Sequence, residues 1–312
     1  MGQPLLKRLG VELPIVQAGM GGGLARHELA AAVSEAGGLG TIGLMAPGAL
    51  EKEARAARAL TGRPLAINLI APLAGREHWR TAVEADLVVT HWGSPRRRVG
   101  GTWIHQCGSV DEARAAHAAG ADGVIAQGRE AGGHTRARLP ALELLARIKA
   151  ALPQGFPVLV AGGIADATDV RTAIEAGAEA AVLGTRFLMT DESHAHPGYR
   201  RRLMDGSTTV LTELWGFGWP APHRVLPNAA TERWLRRGPR GPAPVRLLNG
   251  ITGHLPLPEW RLQNPRVPLL TPHAATDDRP ERVLDHAPLY AGETVGRIGD
   301  IRPAAQVVRE LL

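Results

Sequence analysis

Along the first two thirds of the chain, short apolar and β-branched runs alternate with alanine-rich segments whose apolar residues recur at three- and four-residue spacing. These are the period-two and period-3.6 signatures of strand and helix. Eight runs read as strands: Pro14–Ala18, Leu39–Gly43, Leu65–Leu69, Leu87–Thr90, Trp103–Cys107, Gly123–Gln127, Pro157–Ala161 and Ala180–Gly184. Helices are predicted over His27–Ala36, Ala49–Leu60, Val110–Ala119, Ala141–Ala151 and Ala167–Ala176, where Ala, Leu, Glu and Arg dominate. Three of them run into Gly37, Gly120 or Gly177, at the position where a left-handed residue closes the last turn. Strand and helix in alternation predict a parallel sheet, and eight such units predict the closed (β/α)8 TIM barrel of the α/β class.

Two stretches break the pattern. His91–Thr102, rich in Gly, Pro and Arg, is too irregular for a full helix, so the fourth return is expected to be reduced or absent. From about residue 216 to 287 prolines and glycines accumulate around Trp219, Trp234 and Trp260, and periodicity fades. We therefore expect a barrel core over residues 1–215 and an irregular C-terminal cap over 216–287. A last segment over 288–312 ends in a helix at Pro303–Leu312. The cap reads either as the wall of a hydrophobic cleft or as the subunit interface of a homodimer, and tryptophans among prolines also pack irregular loop cores without further purpose.

Composition narrows the function classes. The 312 residues, 44% of them hydrophobic, suffice for one large α/β domain. No run approaches the ~18 apolar residues of a membrane span, and the N-terminus lacks the layout of a signal peptide, so the expected address is cytoplasmic, with no membrane partner. Cys107 is the only cysteine, and no CxxC or HExxH spacing occurs, so neither a disulfide nor a metal site is expected. The formal charge of +6 comes from scattered arginines. The densest runs, Arg96–Arg98 and Arg200–Arg202, are not interleaved with stacking aromatics, which argues against nucleic acid.

The candidate chemistry begins with glycines. Val158–Ile164 ends a strand in Gly162-Gly163, and Ala181–Phe187 ends the next in Gly184-Thr185. These are the loops after the seventh and eighth strands, where barrels of this kind often bind phosphate. Glycine lets an anion approach backbone N–H groups, and Thr185 adds a hydroxyl. A single glycine pair would mark only a tight turn; a pair on each of the final two strands points to a phosphate clamp.

Further motifs narrow the ligand. Gln17-Ala18-Gly19-Met20, Asn68 after the third strand and the run Ala126–His134 together resemble the nitronate monooxygenase family over about Leu13 to Met189. The similarity resumes at Pro288–Gly296, which looks like the C-terminal Ala-Gly-Gln-x-x-Gly segment of that family and of its FMN-dependent enoyl reductase relatives. The resemblance implies FMN as cofactor, with contacts from Asn68, Gln127, Gly132, Gly133, Gly163, Val182, Leu183, Gly184 and Thr185. It places Ala18, Gly19 and Met20 near the flavin ring. Carboxamides at Asn68 and Gln127 both donate and accept hydrogen bonds, as a flavin's pyrimidine edge and ribityl chain require.

His134 stands seven residues beyond Gln127, on the loop leaving the sixth strand at the face where barrel chemistry is done. Its imidazole can take a proton α to a nitro group or donate to a nitronate oxygen. In the family reading a small nitronate and O2 react to give a carbonyl compound and nitrite, the flavin carrying the electrons. His91, His105, His194, His196 and His223 read as structural, although His91-Trp92 ends a strand where it could line the pocket. Glu130 reads as a solvent-facing carboxylate and Cys107 as a small strand residue. Arg136, where the family commonly has glycine, and Glu293, where relatives often carry glutamine, leave the substrate open. Three rivals stand beside this reading: an FMN-dependent NAD(P)H reductase of an enoyl thioester or quinone, a non-catalytic flavin-binding protein, and a barrel isomerase or aldolase acting on a phosphorylated substrate.

Overall fold

The computed structural model describes residues 3–312 apart from 94, 96, 97, 218–220, 253–260, 262 and 268, so Arg96, Arg97, Trp219 and Trp260 lie outside the described residues. In chain order the strands are β1 (Ile15–Gln17), β2 (Gly40–Ile42), β3 (Leu65–Ile70), β4 (Leu87–His91), β5 (Trp103–Cys107), β6 (Gly123–Gln127), β7 (Gly133–His134), β8 (Val158–Ala161), β9 (Ala181–Leu183), β10 (Val210–Thr212) and β11 (His223–Val225). All eight predicted strands are present. They form one parallel sheet in the order β1-β9-β8-β6-β5-β4-β3-β2. The sheet closes on itself where Leu39 N donates to Ile15 O and Gln17 N to Leu39 O, both at 2.9 Å.

Alternation along each strand sorts side chains into two layers. Val16, Ala66, Val89, Ile104, Ile125, Leu159 and Val182 point inward and fill the barrel, plugged from below by Leu5 and Leu6 of the N-terminal turn Leu5–Arg8. Ile15, Ile67, Val88, Trp103, Val124 and Val160 point outward and meet the helices. Helix His27–Glu35 buries Leu29, Ala30 and Val33, and helix Ala141–Ala151 buries Leu144, Leu145 and Ile148, the faces their periodicity predicts. Gly37, Gly120 and Gly177 each have φ between +88° and +95°, the left-handed closure expected of them. Helix Arg76–Ala82 has no counterpart in the sequence reading, because only Thr81 and Ala82 are buried and its apolar period is too short to register.

Between β4 and β5 the described residues form no helix. The cap is more ordered than its composition suggests. It carries helices Ala229–Trp234 and Ala243–Thr252, and Leu214, Trp215, Val225, Ala230 and Leu270 make a small core of their own. Trp215 anchors it, donating from Nε1 to His286 O at 2.5 Å. Asn228 caps helix Ala229–Trp234 and donates to the carbonyls of Leu284 and Ala287. β11 pairs antiparallel with both β10 and β7, in a register that sets His223 opposite His134. Among the described residues no helix is long and apolar enough to cross a membrane.

Candidate functional site

The inward layer changes character one step up the barrel. Two residues beyond Ala66, Val89, Ile104 and Ile125 stand Asn68, His91, Gln106 and Gln127, so strand alternation alone makes a polar ring at the C-terminal mouth. Asn68 is 7% exposed, and its Nδ2 makes only a 3.5 Å contact with Val89 O. Gln127 is 4% exposed and donates from Nε2 to His134 O at 3.0 Å. Its Oε1 is buried, accepts no well-formed hydrogen bond and lies toward His91, whose protonation it favours. Two buried carboxamides with unused capacity are costly unless a ligand completes them.

Beside this ring the glycines of four loops converge. Gly162 and Gly163 leave β8 with φ of +112° and +73°, backbone that favours glycine. A Cβ on Gly162 would sit 3.1 Å from Ala131 N, so this turn lies against the β6–β7 loop. A Cβ on Gly132 would sit 2.6 Å from both Ala291 C and Gly292 N, which shows how closely the C-terminal segment approaches. Gly292 N donates to Thr185 Oγ1 at 2.9 Å and Glu293 N to Glu130 O at 3.0 Å. Ala18 N donates to Leu183 O at 2.9 Å, and Gly19 is packed so tightly on Asn68 that a Cβ would clash with it. Ala18, Gly19, Asn68, Gln127, Gly132, Gly162, Gly163 and Thr185, all read as cofactor contacts, lie at this mouth. Val182 and Leu183 are buried with their side chains in the inner and outer cores, so only their backbone faces the loops.

His134 is half-buried in an aromatic cluster. Its ring centroid is 5.1 Å from His223, 5.5 Å from Tyr290 and 6.5 Å from Trp92. Burial, then the neighbouring His223 and His91, hold its pKa well below the usual histidine value. His223 is fully buried, and burial pushes it down to about 4. Its Nδ1 is 2.8 Å from Ala221 O and therefore carries the proton. His91 is pushed to about 3 by burial and by the charges of His105 and Arg136. Burial raises the Tyr290 phenol well above its normal range, and its hydroxyl has no partner among the described residues. The cluster is neutral at physiological pH and offers hydrogen-bonding groups without net charge.

The sequence reading missed several members of this site. His223 reads from sequence as one more structural histidine; it lies 89 residues from His134, and only the β7–β11 pairing joins them. Tyr290 stood inside the C-terminal motif without a role. Gln106 could have been found by the two-residue offset from Ile104. Other candidates take structural roles. Glu130 accepts from Ala141 N at 3.0 Å and caps helix Ala141–Ala151. Glu293 pairs at 2.7 Å with Arg224, a nearly buried cation that also donates to Arg129 O. Arg136 lies over the Trp92 ring, its Cζ 5.1 Å from the centroid, and pairs with Glu112 at 2.9 Å. His196 caps helix Pro197–Asp205, and His194 bridges Glu28 and Asp277. Cys107 is buried and its thiol pushed up, mainly by burial, as befits a packing residue. Among the described residues one group, His27, Glu28 and Glu53, brings three ligand-type atoms within 4.8 Å, but His27 Nδ1 and Glu53 Oε2 already satisfy each other at 2.5 Å.

Comparison with known proteins bears on this geometry. The family model described as nitronate monooxygenase matches residues 3–102 and 81–312. A nitronate monooxygenase of Paraburkholderia phytofirmans is 32% identical over 302 residues, covering 77% of this chain and 80% of its own. A (3aS,4S,5R,7aS)-5-hydroxy-7a-methyl-1-oxo-octahydro-1H-indene-4-carboxyl-CoA dehydrogenase of Mycobacterium tuberculosis is 34% identical over 252 residues, 76% of this chain and 69% of its own. Among solved structures, a nitroalkane oxidase from Streptomyces ansochromogenes superposes with a TM-score of 0.76 at 31% identity, covering 98% of this chain and 96% of the other.

Proposed function

Because the chain belongs to the nitronate monooxygenase family, whose members are flavin-dependent enzymes, we propose that it binds FMN across the barrel mouth and oxidises alkyl nitronates with O2 to carbonyl compounds and nitrite. The observation that carries this reading is the pair of incompletely bonded carboxamides, Asn68 and Gln127, beside the converging glycine loops. In this reading the amides of Gly162-Gly163 and Gly184-Thr185 hold the phosphate, and Asn68 and Gln127 meet the flavin's polar edge. Ala18, Gly19, Met20, Gly132 and Gly133 line its approach. The flavin, when bound, supplies the redox chemistry. A cytoplasmic address goes with a diffusible substrate of this kind.

The protein's own contribution is position and proton control. His134 is held by the β7–β11 pairing and packed on His223 and Tyr290. Its lowered pKa makes it a neutral imidazole and a weak base. A nitronate has already lost its α-proton, so it needs a hydrogen-bond donor at its oxygens and no base. A neutral nitroalkane would need a stronger base than this site provides. The enzyme is thus expected to prefer the anion, with His134 donating to it and the Trp92 and Tyr290 rings excluding water.

The test is anaerobic mixing of the purified yellow protein with propyl-2-nitronate, then with 2-nitropropane and with NADPH. Rapid bleaching by the nitronate alone is expected. His134→Asn should keep its flavin and lose on the order of 10²-fold in bleaching rate, the usual scale for a positioned acid or base. A protein that releases no flavin on denaturation, or whose flavin the nitronate leaves oxidised, defeats the proposal. The similarity to a CoA dehydrogenase favours a second reading, a flavin-dependent redox enzyme using NAD(P)H; bleaching by NADPH and not by nitronate would select it.

A further inference from the structure

The turn that follows β9 is held by the far end of the chain. Gly184-Thr185 opens the short helix Thr185–Leu188, whose second residue, Arg186, is a cation only 8% exposed. Its guanidinium spans two segments. Nη1 donates to Asp300 Oδ1 at 2.6 Å, and Nη2 to Met189 O at 3.1 Å and to Asp300 O at 3.3 Å. Around these bonds the two segments run side by side: Thr190 and Arg302 form a parallel bridge, and Asp191 N donates to Arg302 O at 3.2 Å. Asp300 also meets Arg302 at 2.7 Å, and Arg302 is bonded at 2.6 Å to Glu310 of helix Ala304–Glu310. Cation and anion thus alternate from the turn after β9 to the C-terminal helix, through Arg186, Asp300, Arg302 and Glu310.

Stability alone is a poor reason to bury this cation. Taking a guanidinium out of water is costly, and an apolar side chain of similar volume often serves a core as well or better. What the guanidinium supplies, and an apolar chain cannot, is direction. Its planar fork fixes the carbonyl of its own turn against two oxygens of a single residue 114 positions away. Backbone amides that clamp an anion work only when bonds behind them hold the productive geometry. The neighbouring residue is tied to the same C-terminal segment, since Thr185 Oγ1 accepts from Gly292 N at 2.9 Å. The turn after β9 is therefore fixed from two sides by residues of 288–312.

We propose that Arg186 is a positioning residue for the phosphate of FMN: through Asp300 it sets the Gly184-Thr185 turn at the angle at which its amides meet the anion. The inference rests on the FMN reading above and is independent of which substrate the flavin oxidises. Arg186 acts on the phosphate end of the cofactor and leaves the ring end to Asn68 and Gln127.

Titration of the flavin-stripped full chain with FMN and with riboflavin, which keeps the ring and ribityl chain and lacks the phosphate, tests this by binding rather than turnover. In Arg186→Met the new side chain fills the space of the old stem and Asp300 keeps Arg302, so no charge is left stranded. This variant should bind FMN at least about tenfold more weakly than the natural chain, and riboflavin within about twofold of it. Arg186→Lys keeps the charge without the planar fork and should lose less than Arg186→Met. Asp300→Asn, which alters the same bond from the C-terminal side, should also weaken FMN and spare riboflavin, and it carries the test if Arg186→Met does not fold. A natural chain that binds neither flavin takes down the FMN reading and this inference together. FMN binding by the natural chain, with equal losses for the two flavins in the variants or with no loss of FMN, overturns this inference alone.

Discussion

His223 gives the sharpest quantitative handle on the site. It is packed among Trp215, Tyr290 and His134, and burial pushes its folded pKa to about 4. An unfolded imidazole titrates near 6.5. Between those values the unfolded chain holds a proton that the folded chain lacks, so stability present above about pH 6.5 is lost as pH falls toward 4. For one such group the loss is about 2 kcal/mol by pH 5 and about 3 kcal/mol by pH 4. Urea unfolding, followed by tryptophan fluorescence near pH 7.5 and near pH 5, measures it in the natural protein and in His223→Gln. Glutamine retains a donor for Ala221 O and cannot take up a proton. The variant should be less stable at the higher pH, yet its further loss on acidification should be smaller than that of the natural protein by about 2 kcal/mol. Equal losses in the two proteins would refute the reasoning, since His223 would then titrate alike in the folded and unfolded states.

Three further substitutions probe how the mouth is held together. Gly132→Ala places a methyl group 2.6 Å from the backbone of Ala291 and Gly292. It should destabilise by about 1–3 kcal/mol and lower the flavin retained on gel filtration, by displacing the C-terminal segment. Glu293→Gln removes the charge paired with Arg224 and keeps a hydrogen-bond acceptor, so the unfolding free energy from urea titration should fall by about 1 kcal/mol. Glu293→Ala should cost more, because the nearly buried guanidinium then loses its carboxylate and keeps only neutral oxygens as partners. Trp215→Phe leaves the buried His286 carbonyl without its donor and should lower stability by about 1–3 kcal/mol, with the cap becoming more susceptible to limited proteolysis.

The eight barrel strands, five of the returning helices and the glycine pairs were legible in the sequence, because each is set by local period or by backbone conformation. Leu29 and Val33 fall on one helix face, and Gly37 closes that helix whatever lies elsewhere in the chain. Asn68 and Gln127 came from the family resemblance, and strand alternation turns both into the barrel mouth. What sequence could not supply were pairings across long separations. His223 joins His134 through a two-residue register between β7 and β11, Tyr290 arrives from the C-terminal segment, and Glu293 finds Arg224. None of these contacts leaves a periodic trace, since each involves one side chain rather than a repeating face. The cap reads as irregular for the same reason: its core rests on isolated anchors such as Trp215 and Asn228, whose partners lie some 55 to 70 residues away. Local spacing thus determined the scaffold and the polar ring at its mouth. Tertiary packing decided the electrostatics of the histidine at the centre, because desolvation depends on every neighbour that excludes water.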